Sequence, residues 1–412
     1  MQKADIRRIL MSELYQLPDG WEWKKLEDLF IVKDGTHDSP KYVQNLEFSL
    51  ITSKNLGEKG LDFTKISYIS KEDYDKINMR SKVDLGDLLF AMIGSIGNPV
   101  IIKNEPNFAI KNVALFKCKN ETNLIEFLRY YLLSQFVVMK MKQEANGATQ
   151  KFVGLTYLRN FPVPQIPPVE QKRIVQKLDA LFERIDKAIA LLQKNIDAAD
   201  NFMNSVLNDV FSDLDGRHSK RTLFSFDFGM SAGGTPLRQN KLFWENGTIE
   251  WFSSGELNQL FTKPANEKIT QIGLENSSAK LFESGTLLIG MYDTAAMKMS
   301  ILSNDGSCNQ AIVGFKPDAK ELNIYFAKYQ LEYLKPVILE QRQGVRQKNL
   351  NLTKIKNIEI SYPDLIIQNK VVDFLDDVSA KIEQVKSAQQ QKLQSLLNLK
   401  SSILDQAFRG KL

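Results

Sequence analysis

Laid over residues 344–410 at a constant offset of 197, residues 147–213 match at 16 of 67 positions without a gap. Unrelated segments of average composition would share roughly four. The identities include Gly147/Gly344, Gln150/Gln347, Lys151/Lys348, Leu155/Leu352, Thr156/Thr353, Gln171/Gln368, Leu178/Leu375, Ile185/Ile382 and Phe211/Phe408. An offset near 200 is too long for a solenoid unit. The chain therefore consists of two copies of a domain, each with its connector. Upstream the copies agree more loosely. Gly35–Thr36 aligns with Gly234–Thr235, Gly86–Met92 with Gly285–Met291, and Ser53–Leu56 stands near Ser254–Leu257. A shared framework with differing loops is what one scaffold reading two different targets would carry.

Each copy ends in a long helical pattern. From residue 168 to 211 the apolar positions run Ile174, Leu178, Leu181, Ile185, Ala188, Leu192, Ala199, Val206, Val210, in steps that draw one stripe on a helix. Val371, Leu375, Val378, Ile382, Val385, Leu396, Leu399 and Ile403 repeat it. Pro167–Pro168 and Pro363–Asp364 are helix starts, and neither interior holds Pro or Gly. A stripe this long wants a partner helix, and the other copy supplies one; packing of each helix on its own domain is the plainer reading. Asn195 and Gln389 interrupt the stripes, as register markers or solvent-facing kinks. A rigid helix pair would hold the two copies at a fixed separation, where a flexible linker would not.

The globular parts read as α+β. Strands are expected at Leu88–Ile93, Val100–Lys103, Val113–Lys117 and Leu287–Met291, and helices at Leu124–Met141 and Leu322–Leu339. The domain limits that follow are 1–165 and 214–362, with long helices over 166–213 and 363–412. The net charge of +5 and pI near 8.8 permit an acidic partner without requiring one. Cys118 and Cys308 stand alone, far apart, and make no disulfide framework and no zinc cluster with His37 and His218. No run approaches about 18 consecutive apolar residues, so no membrane span is expected. The charged start (Lys3, Asp5, Arg7, Arg8) lacks a signal peptide's apolar core, and a cytoplasmic location is expected.

Catalytic signatures are missing. There is no glycine-rich turn and Asn/Asp-Pro-Pro-aromatic loop of an amino-methyltransferase; Asn98–Pro99–Val100 lacks the second proline and the aromatic. No phosphate-binding G-x-x-x-x-G-K-[ST] occurs. Pro363–Asp364 is not followed by the acidic-x-Lys of a metal-dependent nuclease. These absences point to a binding chain and away from a fused methyltransferase.

Several segments carry a resemblance. Leu17–Pro18–Asp19–Gly20–Trp21–Glu22–Trp23, the Gly234–Thr235–Pro236 turn, Trp251–Leu257, Asn309–Gln310–Ala311 and the ending Ile403–Leu404, Ala407–Phe408, Gly410–Lys411–Leu412 are similar to specificity subunits of type I restriction–modification enzymes. The resemblance spans essentially the whole chain and its domain–helix–domain–helix order. It implies two target recognition domains, each reading half of a split, asymmetric DNA sequence, separated by two long antiparallel coiled-coil helices in a pseudo-twofold repeat. It implies as partners double-stranded DNA, two modification subunits and, where the system restricts, restriction subunits. It implies that S-adenosylmethionine, ATP and magnesium belong to those partners, with no cofactor, metal or catalytic residue expected on this chain. The second copy departs from the pattern: Leu214–His218 stands where the first has Leu-Pro-Asp-Gly-Trp.

Base edges are read by amide and guanidinium groups, while Lys, Ser and Thr more often meet phosphates. The DNA-contact candidates in the first domain are Thr36, His37, Ser53, Lys54, Asn55, Lys111, Asn112, Gln150 and Lys151. Those in the second are Thr235, Ser254, Glu256, Tyr292, Asn309, Gln310, Arg342, Arg346, Gln347 and Lys348. Simple readings compete: a tight turn at both Gly-Thr pairs, a capped turn at Lys54–Asn55, a solvated loop around Arg342 and Arg346. Gln150–Lys151 and Gln347–Lys348, kept in both copies, suit phosphate anchors or structural links better than base discrimination. Trp21, Trp23, Trp244 and Trp251 suit packing. The alternative function is a cytosolic coiled-coil adaptor whose domains bind protein. A salt series separates the two, since DNA binding weakens by roughly one log–log unit per phosphate neutralised.

Overall fold

A computed structural model describes residues 14–38, 40–44, 47–58, 60–145, 151–340 and 349–412. The chain divides into two compact units, one formed by the residues up to Gln193 with Gln391–Leu412, the other by Lys194–Gln390. The boundaries differ from a domain–helix–domain–helix division, because each unit takes in half of each long helix. The first helix runs Pro168–Arg217 and the second Leu365–Phe408, 50 and 44 residues. Pro168 opens the first, and the Asp364 carboxylate caps the second by accepting from the Ile367 N–H at 2.9 Å.

In the first unit a four-stranded antiparallel sheet is ordered Phe30–Asp34, Val113–Cys118, Leu88–Ala91, Gly97–Ile101. Beside it lies a second sheet, in which Phe108–Lys111 pairs in parallel with Phe48–Thr52. The solid apolar run Leu88–Ala91 is explained by its two covered faces. Leu88 and Phe90 join one core with Ile174, Leu178, Phe182, Ile403, Leu404 and Phe408 of the long helices. Leu89 and Ala91 join another with Ile51 and Ile110 of the second sheet. The second unit repeats this plan with Ser231–Ala232, Ile312–Phe315, Leu287–Gly290 and Met299–Ile301, and a parallel pair Ile249–Phe252/Gly306–Cys308. Leu287 and Ile289 face Leu207, Phe211, Val372 and Leu375, while Leu288 faces Phe252 and Cys308.

Strand register corrects the Gly-Thr alignment by one residue. Asp34 lies opposite Ala114 as Ala232 lies opposite Val313, which sets Gly35 against Gly233, not Gly234. Both glycines are required by close approach. A Cβ on Gly35 would sit 2.2 Å from the Ile110 carbonyl oxygen, and one on Gly233 2.2 Å from that of Cys308.

The helices at Leu124–Met141 and Leu322–Leu339 are found as Ile125–Leu133 followed by Gln135–Glu144, and as Ile324–Glu340. The first breaks at Ser134, whose hydroxyl accepts from the Val137 N–H and caps a new helix. Each is tied to its long helix in the same way. The Tyr130 hydroxyl donates to Asp179 at 2.5 Å, and that of Tyr329 to Asp376 at 2.6 Å. Burial, reinforced by the carboxylate, raises both phenols well above their ordinary range, so both remain donors. Gln171 and Gln368 are buried latches. Gln171 Oε1 accepts from the Leu124 N–H, and its Nε2 donates to the Thr122 and Ile166 carbonyls. Gln368 does the same with Asn323, Glu321 and Pro363.

Within the first unit Asp186 of the first helix pairs with Lys400 of the second. Arg173 donates to the Leu412 carbonyl, so the two segments run antiparallel. Within the second unit Asp200 pairs with Lys386. Asn195 faces solvent and Gln389 is half-buried. The Leu17–Trp21 opening packs on the end of the second helix, where a Cβ on Gly410 would meet Pro18 at 2.3 Å. In the second unit Leu214 joins the core and Asp215 accepts from the Ser361 hydroxyl, so the helix itself continues through that place.

Candidate nucleic-acid interface

The described first-domain candidates gather at one edge of the central sheet. The chain leaves Asp34 through Gly35, whose N–H donates to Val113 O, and Thr36, whose N–H donates to Ile110 O. Thr36 bridges to Lys111, and the Asn112 N–H returns to the Thr36 carbonyl. His37 Nδ1 lies 2.8 Å from Asn112 Oδ1, with Asn112 in the left-handed region at φ 54°. Ser53 Oγ donates to the Asn112 carbonyl at 3.0 Å. The end of Leu88–Ala91 arrives at the same edge, where Val153 N–H donates to Met92 O and Gly94 N–H to Lys151 O. Lys151 extends along the surface, its ammonium donating to the Lys142 carbonyl, which favours its reading as a structural link.

Not every candidate has a side chain to offer. Asn55 is buried, accepting from both the Thr52 N–H and hydroxyl at 2.9 Å and donating to the Asp62 carbonyl at 3.0 Å. Asn55 closes a capped turn; Ser53 is also buried, and Lys54 between them is exposed. Glu256 has the same duty in the second copy. Its carboxylate accepts from the Ser253 N–H, the Ser253 hydroxyl and the Asn266 N–H. This capping box accounts for Glu256, and Ser254 rides on its turn half-exposed.

The second domain brings Thr235, Asn309, Gln310 and Tyr292 to the corresponding edge. The Thr235 hydroxyl donates to Gln310 Oε1, taking one of the amide oxygen's two lone pairs, and both Gln310 and Tyr292 are exposed. Asn309 Oδ1 accepts from the Ala311 N–H at 3.0 Å. Gln150, Arg342, Arg346, Gln347 and Lys348 lie outside the described residues.

Two groups at these edges escape a sequence reading. In the second domain the Arg238 guanidinium lies 4.0 Å from the Trp244 ring centroid and 4.7 Å from that of Trp251. It forks onto Glu267, holding that carboxyl below its usual range. Trp251 is buried, its indole N–H on the Gly234 carbonyl, so the tryptophans pack and Arg238 covers them. In the first domain Asp34 accepts from both His37 and Arg80. The signal for Arg238 was the nearby Trp244 and Trp251; nothing local links Arg80 to Asp34, which are 46 positions apart.

Among the described residues no group of three or more His, Cys, Asp or Glu could hold a metal ion. None of their helices is long and apolar enough to cross a membrane. Cys308 is a core residue, and burial pushes its thiol up to about 12.

A family model described as "type I restriction modification DNA specificity domain" matches the chain twice, over residues 18–194 and 226–395. The chain belongs to that family. The two matches follow the duplication read from the offset of 197. The putative type I restriction enzyme MjaX specificity subunit of Methanocaldococcus jannaschii is 21% identical over 433 residues, covering 97% of this chain and 96% of that protein. Among solved structures, a chain from work on complex assembly and conformational transition of the type I R-M system has a TM-score of 0.75. It is 21% identical and covers 97% of this chain and 100% of its own. The HsdS subunit from Thermoanaerobacter tengcongensis has a TM-score of 0.53 at 20% identity, with coverage of 97% and 100%. These two likenesses concern the fold alone.

Proposed function

We propose that this chain is the DNA-reading subunit of a cytoplasmic type I restriction–modification assembly and carries out no chemistry itself. The observation that carries this reading is the readout edge built twice on one backbone plan with different side chains. Asp34, Arg80, His37 and Asn112 stand in the first domain, and Arg238, Thr235 and Gln310 in the second. Two copies of one frame with unlike donors and acceptors suit the two unlike halves of an asymmetric target. A protein-binding adaptor gives no reason for amide and guanidinium groups to gather at the same edge of both copies.

Methyl transfer then belongs to two modification subunits carrying S-adenosylmethionine, and ATP- and magnesium-dependent restriction to further subunits. The long helices offer docking points that follow the repeat. Val169 and Ile366 are exposed at equivalent positions, as are Phe202 and Leu399, each pair separated by the offset of 197. Large apolar groups exposed twice at matching positions fit two copies of one partner. Light scattering of the chain saturated with its modification subunit is expected to give two per chain. Phe202→Ser should lower this to one, and Phe202→Ser with Leu399→Ser to none. One modification subunit on the unaltered chain would contradict the reading.

A further inference from the structure

Asp34 ends the strand Phe30–Asp34 with its side chain only 4% exposed. A carboxylate buried to that degree must be paired. One oxygen accepts from Arg80, carried on the helix Lys71–Ser81, and the other meets His37 Nε2 at 2.8 Å. The partners are not buried with it: the Arg80 and His37 side chains are 60% and 59% exposed. A guanidinium carries five N–H donors in a rigid fork, and Asp34 engages it through one nitrogen, Nη2. The rest of the fork is available at the edge where Thr36, His37 and Asn112 converge.

Charge decides what such an arginine is for. A phosphate anchor works through net positive charge, which a buried carboxylate cancels. Base readout depends on direction, and a carboxylate that fixes the fork removes the rotamer entropy an arginine loses on binding. Building on the DNA-reading function proposed above, we infer that Arg80 reads the O6/N7 acceptor edge of a guanine in the first half-site, with Asp34 as its positioning residue. The second domain has Ala232 at the strand position of Asp34, and its arginine, Arg238, rests on Glu267 and two tryptophans. The two domains therefore read unlike bases at this place.

The test uses the full chain assembled with its modification subunit, with methylated motifs mapped by sequencing and binding measured on duplexes substituted one base pair at a time. The unaltered assembly gives a bipartite motif with a G·C pair in the first half-site. Arg80→Gln, a change at an exposed side chain, relaxes discrimination at that pair roughly tenfold to a hundredfold and leaves the second half-site as it was. Asp34→Asn relaxes the same pair to a smaller degree and adds nothing in an Arg80→Gln background, which a merely structural role would not produce. Equal weakening on every duplex, with a salt slope reduced by about one, would make Arg80 a phosphate contact and overturn the inference. Unchanged preference at every pair would reduce it to a surface ion pair. A wild-type assembly without any bipartite motif would sink the DNA-reading function itself, a result distinct from either.

Discussion

With residues 17–160 replaced by the same segment of another specificity chain, the assembly is expected to methylate a site with one new half and one unchanged half. The segment carries the whole first edge proposed to read DNA, from the Gly35–Thr36 turn to Asn112, and none of the second. Its attachment is tolerant of sequence. Gln171 grips it through the Leu124 N–H and the Thr122 carbonyl, main-chain atoms that any donor supplies. Side-chain ties add to it: Tyr130 donates to Asp179 and Tyr131 to the Pro162 carbonyl, Phe127 and Tyr131 pack edge-on to Phe408, and an apolar surface covers Ile174, Leu178 and Phe182. Each mismatched base pair costs about 1–3 kcal/mol, so exchange of a few contacted pairs abolishes the old half-site outright. Sequencing of methylated DNA reads the result. A change in both halves, from a correctly folded chimera, would mean that the domains do not read independently.

The buried glutamines should carry the largest single-residue effect on stability. Gln171→Leu keeps the volume and removes an acceptor and a two-pronged donor. It strands the Leu124 N–H and the Ile166 carbonyl, while exposed Thr122 turns its carbonyl to water. Each stranded group costs about 1–3 kcal/mol, for a loss of about 2–6 kcal/mol. That is a large part of the 5–15 kcal/mol typical of a whole domain. Gln368→Leu should behave alike through Asn323 and Pro363. Calorimetry on each variant measures this, and a loss under about 1 kcal/mol would show that the latch is incidental. The repeat identity Gln171/Gln368 marks a joint between globular domain and helix, not a DNA contact.

Much of the architecture was legible because it was written twice. The offset of 197 exposed the duplication, and apolar steps of three and four located both long helices, whose observed starts, Pro168 and Leu365, fall at the prolines. The apolar runs gave the central strands Leu88–Ala91 and Leu287–Gly290. What sequence could not fix was register. Matching Gly35–Thr36 to Gly234–Thr235 by letter misplaced the turn by one residue, since the second copy has an extra glycine and only strand pairing tells which one takes the buried place. Asn55 and Glu256 had the right chemistry for base edges. Yet Thr52-x-x-Asn55 and Ser253-x-x-Glu256 are capping patterns, and local hydrogen bonds claim those groups first. Arg80 was missed for the opposite reason, since its partner Asp34 lies on a distant strand and only the fold brings them together.

This one chain is proposed to tell an assembly which two short sequences to mark. DNA from cells expressing the chain with its cognate modification subunit, sequenced with detection of methylated adenine, tests that directly. The expected result is one asymmetric motif in two specified parts with an unspecified gap of fixed length, absent when this chain is omitted. A single uninterrupted motif, or the same methylation without this chain, would contradict it.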